Sequence, residues 1–136
     1  MSTLLHIPKG NVDDFKTDLN TNSTMIINSV VALCDSILYE YITNIYLLHT
    51  KYRTKLSTWQ EKFNMSVLKL HDFEKVEKQL TEKYRFFFDE ENYKNLDETS
   101  RSYIIYYKKK IDAIISTTKA NIKIRLHKNK AYLTKI

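Results

Sequence analysis

The longest apolar stretch of the chain covers residues 25–48, in which Asp35 and Glu40 are the only charged side chains. Hydrophobic residues recur there at the three- and four-residue spacing of an α-helix, and they form two adjacent stripes instead of one. A helix that is apolar over so wide an arc must be contacted on two or more sides. The pattern therefore predicts a core helix in an all-α fold.

One of the two stripes continues beyond residue 48 in steps of three and four, through Tyr52, Leu56, Trp59, Phe63, Val67 and Leu70. The opposite face becomes polar in this part, so the helix changes from broadly apolar to one-sided. We therefore expect one long central helix over about 24–70, roughly 70 Å in length at about 1.5 Å per residue. Because this length is large for a compact domain, part of the helix would project or pair with another chain.

Apolar periodicity on either side of this segment predicts further helices. A short N-terminal helix is expected from residue 12, after an N-terminal arm over 1–11 that holds the single Pro and the single Gly. A basic C-terminal helix is expected over about 100–127, followed by a C-terminal tail over 129–136. Together the segments predict an all-α helical bundle built around the long central helix, with one domain over 12–128.

Two features interrupt the periodicity inside this domain. The spacing of the apolar residues slips near 71–73, which predicts a kink or a break in the helix. Residues 89–99 are acidic and polar, so we expect a loop there, and Asp97 or Thr99 would cap the last helix.

Composition agrees with a helical fold. Gly and Pro occur once each in 136 residues, whereas a strand-rich fold of this length needs turn residues at regular intervals. Lys, Ile, Asn and Tyr are abundant while Ala and Arg are scarce, which is typical of an AT-rich genome. Codon bias therefore explains part of the Gly and Pro deficit and most of the excess of Lys over Arg, but the periodicity supports helices independently.

The cysteine content, the first residues and the charges in the apolar stretch bear on where the protein is located. Cys34 is the single cysteine and lies in the apolar stretch, so we expect a small buried side chain and no disulfide framework. No signal peptide is recognised at the start, which favours a protein of the cytoplasm or nucleus. A membrane span is disfavoured because each charge near the bilayer centre costs roughly 2.5–3.5 kcal/mol. We therefore expect an intracellular protein, neither secreted nor transmembrane.

Positive charge is concentrated in the last part of the chain. Residues 101–136 carry ten basic side chains against Asp112 alone, whereas residues 1–50 have a net charge of −3. Five of these cations fall within roughly 60° of one another on a helical wheel and are here called the basic ridge. They are Arg101, Lys108, Lys119, Lys123 and Lys130. The basic ridge is a candidate site for an anion or nucleic acid, and its alternative interpretation is a solvated helix face.

The sequence carries no catalytic, metal-binding or nucleotide-binding motif. The four histidines never occur four residues apart, the lone cysteine cannot complete a zinc site, and one glycine cannot build a phosphate-binding loop. We therefore expect neither enzymatic activity nor a cofactor, a metal ion or a small-molecule substrate.

Aromatic residues make up 12% of the chain, more than the seam of a simple coiled coil uses. The candidates for anchoring a partner protein are Tyr52, Trp59, Phe63, Phe86 and Phe88. The alternative is that the first three pack on the last helix of the same chain.

Three functions are compatible with these patterns. The first is a non-enzymatic helical protein–protein interaction module, an adaptor or structural subunit of a larger intracellular complex, with other chains as homo- or hetero-oligomeric partners. The alternative is electrostatic binding of nucleic acid through the basic C-terminal helix. The second alternative is a peripheral membrane protein that uses the basic ridge together with Phe86–Phe88.

Overall fold

The computed structural model describes residues 23–135 of the chain, with side chains from residue 27 onward. These residues form helices and contain no strand, so the all-α prediction is confirmed for them. The predicted arm over 1–11 and the short helix from residue 12 lie outside the described residues. The helices are α1 (Ser23–Lys51), α2 (Trp59–Lys83), α3 (Arg85–Phe88), α4 (Glu90–Tyr93) and α5 (Glu98–Thr134).

The predicted central helix over about 24–70 is divided in two. Residues 52–58 connect the end of α1 at Lys51 to the start of α2 at Trp59. Thr58 forms a capping box with Glu61: its hydroxyl accepts the Glu61 backbone N–H at 3.1 Å, and the Glu61 carboxylate accepts the Thr58 N–H at 3.2 Å. These two reciprocal hydrogen bonds satisfy two backbone donors, so a new helix begins here. The helical spacing of apolar residues continues across this boundary and therefore does not reveal it.

The break predicted near 71–73 is absent, because α2 is continuous from Trp59 to Lys83. Its buried positions are Ser66, Phe73 and Leu80, which recur every seven residues. The apparent slip in phase came from counting Val67 as a core residue, whereas its side chain is 42% exposed.

The C-terminal helix is longer than the predicted 100–127, since α5 ends at Thr134 and includes most of the predicted tail. Asp97 caps it as predicted, accepting the Ser100 N–H at 3.3 Å and the Ser100 hydroxyl at 2.7 Å. The predicted loop over 89–99 contains the single turn of α4 and the first residues of α5.

The three long helices α1, α2 and α5 pack against one another, so α1 is contacted on two sides as its wide apolar arc predicted. The first parts of α1 and α5 are joined by the hydrogen bond from the Tyr107 hydroxyl to Asp35, and their later parts share a core cluster at Leu48 and Ile122, so these two helices are parallel. The start of α2 lies beside Asn129 of α5, whereas its later residues pair with Lys119, which comes earlier in α5, so α2 runs antiparallel to both. Because of this arrangement, the start of α2 and the end of α5 lie at the same end of the molecule.

Two clusters of buried residues form the core. The larger one joins α1 to α5 and to α3 and α4, and it includes Cys34, whose thiol pKa is raised by burial and by the neighbouring Asp35 charge. The smaller cluster contains Ile45, Leu48, Phe73 and Ile122, with at least one residue from each long helix. Cys34 is therefore a buried apolar side chain, as the sequence indicates.

Among the described helices, α1 is long and apolar enough to cross a membrane by length and composition, over Ile27–Lys51. Its two carboxylates bond to other helices. Asp35 accepts a hydrogen bond from the Tyr107 hydroxyl at 2.7 Å. Glu40 accepts a hydrogen bond from the Tyr84 hydroxyl and forms an ion pair with Lys83 at 3.0 Å. The charges inside the apolar stretch thus form part of its contacts with α2 and α5.

These phenol–carboxylate pairs predict a loss of stability at alkaline pH. Burial raises the pKa of the Tyr84 and Tyr107 phenols, and the bonded carboxylates raise it further. The unfolded chain ionises its tyrosines near pH ~10, so these two groups contribute their full stabilisation below that pH and lose it as the pH rises further. We expect the Tm measured by circular dichroism to fall above about pH 10. The variant Tyr84→Phe/Tyr107→Phe should have a lower Tm at neutral pH and a smaller alkaline decline, and an equal decline would contradict this assignment.

Candidate functional site: a basic cleft

A cleft of about 740 Å³ opens where the 52–58 connection, the first half of α2 and the last part of α5 meet. Its volume lies within the roughly 300–1,000 Å³ that is usual for ligand sites in proteins. The residues that line it are His49, Tyr52, Arg53, Thr54, Lys55, Leu56, Lys62, Met65, Ser66, Lys69, Asn121, Ile122, Arg125 and Asn129. We call this feature the basic cleft.

Among the described residues, the lining of the basic cleft contains five Lys and Arg side chains and no carboxylate. None of the five forms an ion pair with a carboxylate among the described residues. The cations are Arg53, Lys55, Lys62, Lys69 and Arg125. Because a concave surface with charges of one sign concentrates the electrostatic field, the cleft attracts anions.

Three segments of the chain supply these cations. Arg53 and Lys55 belong to the connection, whereas Lys62 and Lys69 stand two turns apart on α2. Arg125 comes from α5, which reaches the cleft because its last turns lie beside the first turns of α2. The antiparallel packing of α2 and α5 is therefore what assembles the site.

Asn129 fixes the floor of the cleft. Its buried side-chain amide donates to the Lys62 carbonyl at 3.2 Å and to the Ser66 hydroxyl oxygen at 2.8 Å. The Ser66 hydroxyl in turn donates to the Lys62 carbonyl at 2.9 Å. A buried polar group costs free energy unless it is bonded, so this network holds α5 against α2 in one register.

Burial and like charges disfavour the protonated forms of two groups in the cleft. The pKa of Lys69 is lowered by burial and by the positive charge of Arg125. The pKa of His49 is lowered by burial and by the charge of Lys69. Burial is the larger cause of both shifts, and the neighbouring cation adds to it in the same direction. A bound anion would stabilise the charged forms of these groups.

An aromatic pair borders the cleft next to Lys62. The rings of Trp59 and Tyr132 stack with centroids 4.3 Å apart and an interplanar angle of 13°. The Lys62 ammonium lies 4.1 Å from the Trp59 ring centroid, and the Lys135 ammonium lies 5.5 Å from that of Tyr132. We call Trp59 and Tyr132 the aromatic rim.

The aromatic residues predicted to anchor a partner do not form one surface. Trp59 packs on the last helix, which is the alternative that the sequence left open, and Phe63 is half-buried one turn further along α2. Tyr52 donates its hydroxyl to Asp72 and packs against the smaller core cluster. Phe86 and Phe88 lie beyond the opposite end of α2, half-buried against the larger cluster.

The basic ridge is likewise not a continuous positive surface. Lys119 pairs with Glu77 at 3.5 Å and with Glu74 at 3.7 Å, and the Arg101 guanidinium donates to the Lys94 carbonyl at 3.1 Å. Lys108 borders a smaller cavity of about 290 Å³ whose lining also contains Asp89 and Asp112.

Lys123 and Lys130 are exposed on the part of α5 that leads to the basic cleft. Sequence reasoning missed the five cations of the cleft because a helical wheel compares residues of one helix, whereas these come from three segments. A usable signal was the scarcity of acids, since residues 45–70 contain Glu61 as their single acid and residues 118–135 contain none.

The chemistry of the cleft suits an anion. Among the described residues no group of three or more His, Cys, Asp or Glu side chains could hold a metal ion. The lining offers ammonium, guanidinium, amide and hydroxyl donors instead. In comparisons with known proteins, no family model, no curated protein and no solved structure matches the chain.

Proposed function

We propose that the protein is a non-enzymatic helical binding protein whose basic cleft holds an anionic polymer, with nucleic acid as the ligand. The observation that carries this proposal is the convergence of five cations on one concave surface, where the described residues provide neither an ion-pair partner for them nor a carboxylate in the lining. A polymer of phosphates provides closely spaced negative charges that match such a surface.

The composition of the surrounding surface favours nucleic acid over an acidic protein. Residues 45–70 carry five cations besides Glu61, and residues 118–135 carry six cations without an acid. Of these cations, Lys51 pairs with Asp72 and Lys119 pairs with Glu77. Protein interfaces rely on apolar anchors at their centre. Ten of the fourteen side chains that line the cleft are polar, and the other four are Tyr52, Leu56, Met65 and Ile122. A partner of uniform negative charge is therefore the better match.

The test is the salt dependence of binding to a fluorescently labelled oligonucleotide, followed by fluorescence anisotropy. If the five cations each neutralise one phosphate, log K should fall with log salt at a slope of about −3 to −4 for a single strand. This slope corresponds to a loss of about 100-fold in affinity between roughly 50 and 200 mM salt. Absence of binding, or binding that does not respond to salt, would overturn the proposal.

A second candidate is the protein–protein interaction module, as an adaptor or structural subunit of a complex. It is favoured by apolar side chains that α1 leaves exposed, with Ile42 46% and Tyr46 63% accessible one turn apart. Light scattering on the purified protein tests self-association through this face. Oligomers that the variant Ile42→Lys/Tyr46→Lys converts to monomers would support it, and a monomer in both cases would remove homo-oligomerisation.

We also propose an intracellular location, in the cytoplasm or nucleus, with α1 as a core helix and not a membrane span. The bonds of Asp35 and Glu40 to other helices support this interpretation, as do the fully buried Val30 and Ile37. The peripheral membrane function is less well supported, since Phe86 and Phe88 are half-buried against the core. Fractionation of cells that express the tagged protein tests the location.

A further inference from the structure

The shape of the basic cleft restricts the kind of nucleic acid that it can hold. The major groove of a DNA duplex is about 12 Å wide and admits a protruding helix. Here the cations line a concave cleft between α2, α5 and the 52–58 connection and do not lie on a protruding helix. A recess of about 740 Å³ suits a short segment of one strand and not a duplex.

The aromatic rim provides a second contact of the kind that single strands use. Single-strand binding sites combine a positive groove for the backbone with aromatic rings on which bases stack. Lys62 belongs to both parts, since it lines the cleft and lies 4.1 Å from the Trp59 ring centroid. Tyr132, which stacks on Trp59, is 38% exposed.

The two lysine ammonium groups next to these rings occupy positions that a ligand base would need. Lys62 and Lys135 each place an ammonium near one ring of the pair, and both side chains are flexible. A phosphate in the cleft would draw the Lys62 ammonium away from Trp59, and a base could then occupy the position beside the ring. The backbone contact and the base contact are thus linked through one side chain.

We infer that the basic cleft binds single-stranded nucleic acid, with phosphates held by its cations and a base stacked on the aromatic rim. This inference rests on the proposed function and specifies the ligand class of the same site. It also assigns Trp59 a direct role in recognition beyond its packing on α5.

The first experiment uses Trp59 as a reporter, because it is the single tryptophan of the chain. The full-length protein is titrated with oligothymidylate, with a mixed-sequence duplex of equal length, with inorganic polyphosphate and with polyglutamate. We expect strong quenching by oligothymidylate, little quenching by polyphosphate, and an affinity for the single strand about 10-fold or more above that for the duplex.

The alternative outcomes are distinguishable. A duplex affinity equal to or above that of the single strand would overturn the inference and leave the proposed function intact. Equal quenching and equal affinity with polyphosphate would reduce the site to a phosphate site and would also overturn the inference. Tighter binding of polyglutamate than of either nucleic acid, or no binding of nucleic acid, would overturn the proposed function itself.

The second experiment separates recognition from packing by substitution, with affinities measured by anisotropy of labelled ligands. Trp59→Ala should weaken oligothymidylate binding about 10-fold and leave competition by polyphosphate unchanged. Trp59→Phe retains a ring and should recover most of the affinity, which guards against loss of folding. Tyr106→Ala is the matched control and should bind as the wild type does, because Tyr106 is an exposed ring on α5 outside the cleft lining, with the Lys110 ammonium 5.9 Å from its centroid. Equal losses for both ligands in Trp59→Ala and Trp59→Phe would contradict stacking.

Discussion

Replacing Phe73 with alanine is expected to lower the free energy of unfolding by about 3–5 kcal/mol. Phe73 is fully buried in the middle of α2 and packs with Leu48 of α1 and Ile122 of α5. Its ring therefore fills the space where the three long helices meet. A single-domain protein has a total stability of about 5–15 kcal/mol, so this substitution would remove a large part of it.

Urea denaturation monitored by circular dichroism measures the effect of Phe73→Ala. The matched control is Leu68→Ala on the same helix, since the Leu68 side chain is 55% exposed. Surface substitutions of this kind usually change stability by no more than about 0.5 kcal/mol. Similar destabilisation by the two variants would contradict the packing of α2 described above.

The helical class and the position of α1 in the core follow from local patterns. One of the two apolar stripes of residues 25–48 is buried, at positions such as Val30, Ile37 and Tyr41, and α1 is contacted by both α2 and α5. The second stripe is buried at Cys34 and exposed at Ile42 and Tyr46. Asp97 is recognisable as a cap because its side chain acts on the backbone of the next turn. Such features depend on residues only a few positions apart, and the sequence alone can therefore reveal them.

The connection at 52–58 shows why element boundaries were harder to predict. Apolar residues at Tyr52, Leu56 and Trp59 keep helical spacing across the connection, so periodicity alone predicts one helix. The Thr58–Glu61 signature for a new N-terminus was present in the same segment. The half-buried Tyr52 packs into the smaller core cluster from a non-helical position, which explains its apolar character without a continuous helix.

The periodicity of apolar residues could not predict the basic cleft, because the cleft depends on how the helices pack against one another. Lys69 and Arg125 are far apart in the sequence, yet the charge of Arg125 lowers the pKa of Lys69. Their proximity follows from the antiparallel packing of α2 and α5, which Asn129 fixes through its bonds to Lys62 and Ser66. The same packing pairs Lys119 with Glu77 and so divides the predicted basic ridge.

Neutralising one cation from each of the three segments that form the basic cleft is expected to weaken oligonucleotide binding about 100-fold near 0.1 M salt, because three phosphate contacts are lost. The variant is Lys55→Gln/Lys69→Gln/Arg125→Gln, and its salt slope should decrease in magnitude by about 2. Glutamine keeps part of the length and polarity of the side chains. The measurement is the anisotropy titration over a series of salt concentrations.

A control with the same loss of charge separates a local site from a general electrostatic effect. Lys75, Lys78 and Lys109 are exposed on α2 and α5 and lie outside the cleft lining. The variant Lys75→Gln/Lys78→Gln/Lys109→Gln should keep most of the affinity and of the salt slope. If the two triple variants lose affinity equally, binding depends on net charge and not on the basic cleft.

Stability provides an independent measurement on the same pair of triple variants. The cations of the cleft are like charges on one surface, and the charge of Arg125 adds to burial in lowering the pKa of Lys69. Removing three of them should therefore leave the free energy of unfolding unchanged or raise it, while binding is lost. A residue set that served the fold would behave in the opposite way, because its substitution would lower stability together with binding. Weaker binding without a loss of stability would identify these charges as a binding site that the folded chain maintains at the expense of its own stability.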